Sequence, residues 1–240
     1  MNRFDLSNRT AIVTGGAQGL GFGIAKRFIE SGAEVIIWDI VKELLKSAEK
    51  KLNSNKATFQ SVNVASFEDV KKNIDQITAE KKIDILINNA GVTGLTAKLW
   101  DYPTDEWHKV LNVNLNGTFY CCKAIVPHMI KESYGTIINI GSTASLKGYK
   151  NGSIYASSTF AVRCLTQCWQ SELRPHNIRV CQINPSEVTT AFGNPKRIER
   201  EEIYNKLTPN EISHAIISAI EMNDRGLINE LNVWATNPFN

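Results

Sequence analysis

A chain of 240 residues with 42% hydrophobic and 21% charged residues is long enough to bury one large core, and its balance excludes a disordered or fibrous protein. A formal charge of +3, dispersed along the chain, gives no ground for nucleic acid or a membrane as partner. The N-terminus, MNRFDLSNRTAIVTGG, lacks the apolar stretch of a secretory signal, and no run approaches the roughly 18 apolar residues of a membrane span; a cytoplasmic protein is expected.

The first apolar β-branched run, TAIVT (10–14), predicts a strand, and a helix follows near 20–31. Between them lies TGGAQGLG (14–21), in which Gly15, Gly19 and Gly21 allow a tight turn and close backbone approach. A helix opening there offers free N–H groups and a positive dipole end to a pyrophosphate. Gly15, Gln18, Gly19, Leu20 and Gly21 are therefore candidate cofactor-binding residues. The second run, EVIIW (34–38), ends at Asp39, followed by Ile40 and a helix near 41–53. A carboxylate at Asp39 can accept hydrogen bonds from ribose hydroxyls and repels a 2′-phosphate, and Gln18 adds no positive charge to the turn. NAD(H) is favoured over NADP(H); Asp39 as a local cap for the next helix is compatible with that role.

Further runs follow at ATFQSV (57–62), IDILIN (83–88), GTIINI (135–140), IRVCQI (178–183) and LINELNVW (227–234), separated by helical patterns near 66–80, 104–131, 153–174 and 208–222. Apolar strands alternating with helices predict an α/β, doubly wound, Rossmann-type three-layer fold. Its seven-stranded parallel sheet belongs to a single domain over 1–240, with ligands at the carboxyl ends of the strands. The five cysteines lie in apolar segments; Cys164 and Cys168 share a helical face, and core packing is preferred over metal for them. The four histidines form no ligand pattern, so no metal is expected.

With TGGAQGLG, NNAG (88–91), NVNLNG containing Asn114, NIGSTAS containing Ser142, and Tyr155 placed 13 residues later, the whole chain resembles the classical short-chain dehydrogenase/reductase family. The resemblance implies hydride transfer between nicotinamide and a carbonyl or alcohol carbon. Under it, Asn89, Ala90 and Gly91 line the cofactor's ribose side, and Asn63 and Val64 flank the adenine. Asn114 bends its helix to support a relay water, Ser142 binds the substrate oxygen, and Tyr155 transfers the proton. In NPSEVTT (184–190), Pro185 and Ser186 replace a Pro-Gly turn, and Val188 and Thr190 face the carboxamide.

One position departs from the family pattern. Four residues after Tyr155, where the family carries a lysine, stands Thr159. Threonine cannot lower a phenol pKa as a cation does, so the activity is expected to be impaired, with reduction favoured over oxidation. Arg163 lies two turns from Tyr155, and Lys147 and Lys150 on the preceding loop are conceivable stand-ins. A non-catalytic NAD(H)-binding regulatory or scaffold protein on the same fold is the alternative.

The segment 190–209 occupies the position of the family's substrate lid. Its KRIEREE run could form a charged helical turn, either meeting an acidic carrier through Lys196, Arg197 and Arg200 or pairing Arg197 with Glu201 at the surface. Length and lid are similar to 3-oxoacyl-[acyl-carrier-protein] reductases, but Asp39 and the ending GLINELNVWATNPFN are not, so a small-ketone or secondary-alcohol dehydrogenase stays open. Ala191 and Phe192 suggest a partly apolar substrate. The resemblance implies a homotetramer through the two long helices, with a dimer left open and Trp234 and Phe239 as second-interface candidates.

Overall fold

The computed structural model describes residues 5–238, so Phe239 lies outside the described residues. The seven apolar runs form strands β1 (Thr10–Thr14), β2 (Glu34–Asp39), β3 (Ala57–Ser61), β4 (Ile85–Asn88), β5 (Gly135–Ile140), β6 (Ile178–Pro185) and β7 (Glu230–Val233). Between them run α1 (Gly19–Glu30), α2 (Lys42–Leu52), α3 (Phe67–Glu80), α4 (Thr104–Leu111), α5 (Gly117–Glu132), α6 (Ser153–Leu173) and α7 (Pro209–Ile220). All neighbouring strands are parallel, in the order β3-β2-β1-β4-β5-β6-β7. The order reverses between β1 and β4, which opens a crevice at their carboxyl ends.

Strand periodicity divides the core in two. In β1, Ala11 and Val13 face one layer and Ile12 the other; in β2, Val35 and Ile37 oppose Ile36 and Trp38. The first layer includes Ile24 and Phe28 of α1, Leu45 of α2 and Ile216 of α7, and the second includes Ile74 of α3, Ile125 and Met129 of α5, and Trp169 of α6. Central strands are buried on both faces, as their near-continuous apolar sequences require. The edge strands β3 and β7 are only part-buried, a departure from the two-sided burial expected of every run. Each has a single neighbour, and β3 carries Gln60 and Ser61.

The apolar pattern over 104–131 reads as one helix, but the backbone breaks it into α4, a π-helical turn over Asn112–Asn116, and α5. That π-helical turn is centred on Asn114. Gly117 begins α5 because a Cβ there would lie 3.0 Å from Val64 Cγ2, too tight for an unaltered contact.

A buried polar chain fixes α6 to the sheet. Asn88 Nδ2 donates to Asn139 Oδ1 and Asn139 Nδ2 to Thr166 Oγ1, each at 2.8 Å, and Thr166 Oγ1 donates to Gln182 Oε1 at 3.0 Å. Gln182 Nε2 continues to Asn184 Oδ1 at 2.8 Å, and Asn184 Nδ2 to Glu230 Oε1 at 3.0 Å. Arg163 Nε closes the chain on Glu230 Oε2 at 2.8 Å. Apart from Asn88 Oδ1, which is buried without a partner, the side-chain groups of this polar chain are paired, and paired polar groups in a low-dielectric interior hold one geometry, because losing one partner strands the next. The helix that carries Tyr155 is thus positioned by side chains from β4, β5, β6 and β7.

The cysteines separate by location. Cys121, Cys122 and Cys181 are buried, and burial pushes the Cys122 and Cys181 thiols up to about 12. Cys164 and Cys168 are exposed, which corrects the expectation that they pack in the core. They lie on the side of α6 turned away from the sheet, in line with exposed Phe160. No group of ligands able to hold a metal occurs among the described residues, and no helix there is long and apolar enough to cross a membrane.

Candidate active site

The turn after β1 is built by contacts between β1 and β4. Thr14 Oγ1 donates to Ile87 O at 3.2 Å and accepts from the N–H groups of Asn89 and Ala90, both at 3.0 Å. Asn89 Nδ2 donates to the carbonyls of Thr14 and Gly15 at 3.0 and 3.1 Å. Asn89 therefore braces the glycine turn with its side chain. Gly15, at φ +61°, passes so close to the β4 loop that a Cβ would lie 2.9 Å from Ala90 Cα.

Gly21 is more constrained still, since a Cβ would meet Gly15 O at 2.2 Å and Asn89 Nδ2 at 2.5 Å. Gly21→Ala is expected to cost about 3 kcal/mol, the upper end for overpacking, because the nearest atom is backbone. Thermal melting checks it, and a melt unchanged from the parent overturns the close-approach account.

Gln18 is the extended residue before α1, and Leu20 packs on the core within its first turn. Gly19, at φ +57°, starts the helix with its N–H directed outward. That N–H donates to Glu199 Oε1 at 2.9 Å, so an oxyanion from the 190–209 segment already sits on the turn. Asp39 is buried at the end of β2; its carboxylate accepts from Val41 N at 3.1 Å and Ala17 N at 3.4 Å, and Arg197 Nη1 approaches it at 3.8 Å. Ile40, beside it, is exposed. A turn that accepts an oxyanion, glycines that leave no room for Cβ atoms, and a buried carboxylate one strand away fit a nicotinamide dinucleotide.

Asn114 joins the loop after β4 to α6. Its Oδ1 accepts from Val92 N at 2.8 Å, and its Nδ2 donates to Val92 O at 2.9 Å and Ser158 Oγ at 3.1 Å. A Cβ on Gly91 would lie 3.4 Å from that same Oδ1. Ser142 caps the turn before α6, accepting from Ala144 N at 3.1 Å, and its side chain hydrogen-bonds the Tyr155 phenol. Burial, opposed by that hydrogen bond, pushes the phenol up to about 12. The Phe192 ring lies 5.9 Å from the Tyr155 ring, which places this residue of the 190–209 segment beside the site although it stays half exposed.

Thr159 is buried and its hydroxyl turns back on its own helix, bonding Tyr155 O at 3.1 Å and Ala156 O at 3.0 Å. None of the conceivable cations replaces a lysine. Arg163 is engaged with Glu230, Lys147 and Lys150 are exposed, and the groups that influence the phenol are Ser142 and Tyr149.

The remaining predicted residues are more dispersed. Asn63 N–H donates to Asp69 Oδ2 at 2.8 Å, and Val64 packs against Gly117. Pro185 ends β6, Ser186 Oγ accepts from Ala235 N, Val188 bridges to Leu207, and buried Thr190 meets Gly19. The KRIEREE run is not helical, and Arg197 reaches Asp39, which corrects both the charged helical turn and the expected Arg197–Glu201 surface pair. Sequence reasoning passed over Thr14, Ser158 and Glu199. Only Thr14 carried a signal, its place at the end of β1.

The short chain dehydrogenase family model matches residues 9–201. A 2-dehydro-3-deoxy-L-rhamnonate dehydrogenase (NAD(+)) of Sphingomonas sp. (strain SKA58) is 33% identical over 225 residues, 93% of this chain and 85% of that protein. Among solved structures, a gluconate 5-dehydrogenase from Burkholderia cenocepacia J2315 in complex with NADP and tartrate is 27% identical, with a TM-score of 0.84 over 98% of this chain and 96% of that one. An NAD+-bound xylitol dehydrogenase is also 27% identical, with a TM-score of 0.83 over 97% and 99%.

Proposed function

The chain belongs to the short-chain dehydrogenase family, and from that premise we propose that it is an oxidoreductase whose active direction near neutral pH is carbonyl reduction. The observation that carries this reading is a Tyr155 phenol bonded to Ser142 and pushed up to about 12 with no cation beside it. Such a group is a proton donor across the physiological range and a poor base.

A reduced nicotinamide dinucleotide held by the 15–21 turn and Asp39 would supply the hydride. Ser142 would hold the carbonyl oxygen and Tyr155 would deliver the phenolic proton to it, so the oxygen stays on carbon as the hydroxyl of the alcohol product. The Tyr155 phenolate that results takes its next proton from solvent, because the Thr159 hydroxyl is committed to two carbonyls of its own helix. The single-domain chain would use 190–209 as its lid. A small hydroxylated ketone is the substrate class that the relatives' names support, with 3-oxoacyl thioesters as the alternative.

Asp39 supports NAD(H) over NADP(H), since a 2′-phosphate brought to a buried carboxylate is repelled. NADH is expected to bind about tenfold more tightly than NADPH, a difference of about 1.4 kcal/mol, and Asp39→Asn to close most of the gap. Equal affinities in the parent protein would sink this assignment. The outward sides of α5 and α6, where Phe119, Phe160, Cys164 and Cys168 are exposed, suit a homotetramer interface that light scattering can check.

Consumption of NADH with a panel of small ketones, hydroxy-ketones and 3-oxoacyl thioesters tests the reading. Turnover of any carbonyl supports it. Binding of NADH without turnover of the panel would favour the non-catalytic reading.

A further inference from the structure

The segment between β6 and α7 does not simply cover a crevice. Arg200 anchors it, with Nε on Thr190 O at 3.0 Å, Nη2 on Val188 O at 2.9 Å and Nη1 on Glu187 Oε1 at 3.1 Å. Lys206 adds a second ion pair to Glu187 at 2.9 Å. Within this frame, Asn194 shapes a tight turn: its carbonyl accepts from Arg197 N at 2.9 Å and its side chain from Lys196 N at 2.9 Å. Arg197 is left at φ +52°, a left-handed conformation uncommon for arginine, which persists when surrounding contacts fix it.

The result is a pair of charges placed at the two recognition points of the dinucleotide site. Glu199 Oε1 takes the Gly19 N–H at 2.9 Å while Oε2 takes Ala191 N–H at 2.8 Å. Arg197 Nη1 lies 3.8 Å from Asp39 Oδ1. The anion stands where the first turn of α1 would meet a pyrophosphate, and the cation stands where Asp39 would meet ribose hydroxyls.

We infer that Glu199 and Arg197 determine dinucleotide affinity by each filling one recognition point of the cofactor site with the chain's own charge, so that the pyrophosphate must displace Glu199 and the ribose must displace Arg197. The inference rests on the dinucleotide reading of the site. A binding-competent state that is populated only in part weakens apparent affinity by that fraction. Removing the Glu199 carboxylate therefore strengthens binding of any ligand that carries a pyrophosphate, the opposite of what loss of a cofactor contact does.

The test is equilibrium binding, by titration calorimetry, of NADH, NADPH, ADP and adenosine to the parent chain, Glu199→Ala and Glu202→Ala. Glu202 is exposed in the same segment and serves as the control. Glu199→Ala is expected to lower the Kd for NADH and ADP about tenfold, the size of one charge-assisted contact. Adenosine, which has no phosphate, should change less than twofold, as should every ligand with Glu202→Ala. Unchanged or weaker NADH and ADP binding in Glu199→Ala, with the parent still binding NADH, overturns the inference alone. An equal gain for adenosine also overturns it, because the effect would then be general loosening. If neither the parent nor Glu199→Ala binds NADH or NADPH, the dinucleotide reading falls and takes this inference with it.

Discussion

Thr159→Lys is expected to raise alcohol oxidation at pH 7 by about a hundredfold while changing reduction much less, because oxidation starts from phenolate and reduction from phenol. In the native chain burial pushes the Tyr155 phenol up to about 12. At pH 7 the phenolate fraction is then roughly one part in a hundred thousand, and each unit taken off the pKa multiplies it about tenfold. Thr159 cannot supply that shift, since its hydroxyl is bonded to the carbonyls of Tyr155 and Ala156. A lysine ammonium one helical turn from the phenol favours the charged form, and lowering the pKa by about two units accounts for the hundredfold gain.

The native protein carries its own version of the test. A base whose pKa is raised is mostly protonated at neutral pH and gains its active form as pH rises. Oxidation should therefore climb about tenfold per pH unit between pH 7 and 10, while reduction stays flat over the same range because the donor form persists. In Thr159→Lys the climb should give way to a plateau from about pH 10, the pKa that a drop of about two units leaves, where the native profile is still rising. A native oxidation rate independent of pH would show that Tyr155 is not the base, whatever the variant does.

Much of the architecture was legible because burial dictates composition. A strand covered on both faces must be apolar throughout, so β1, β2, β4, β5 and β6 announce themselves. What failed to show was non-local or lay in backbone geometry. The π-helical turn at Asn112–Asn116 leaves the apolar spacing of 104–131 unbroken, so its hydrogen-bond shift has no compositional mark. Arg197 and Glu201 have the spacing of a helical ion pair, but the pair forms only if the segment is helical, and Asn194 turns it elsewhere. The positions of Cys164 and Cys168 depended on which side of α6 meets the sheet, a matter of packing rather than helix period.

Tyr155→Phe separates the catalytic reading from the binding-module reading most sharply. The substitution removes one oxygen and keeps the ring that packs 5.9 Å from Phe192. Ser142 retains its bond from Ala144 N, so its place at the start of the turn before α6 survives. The structural cost is about 1 kcal/mol for a lost hydrogen bond, too small to unfold the chain. A positioned general acid contributes about a hundred- to ten-thousandfold, and here no neighbouring cation stands in for it. Reduction is expected to fall about a thousandfold in kcat while NADH affinity stays within about twofold, a loss of roughly 4 kcal/mol confined to the transition state. Steady-state kinetics with the best carbonyl of the panel, beside direct NADH titration, provide both numbers. A Tyr155→Phe protein that reduces the carbonyl as fast as the parent would remove Tyr155 from the chemistry. Proton delivery would then have to come from water held by Ser142, with the phenol reduced to a packing role against Phe192.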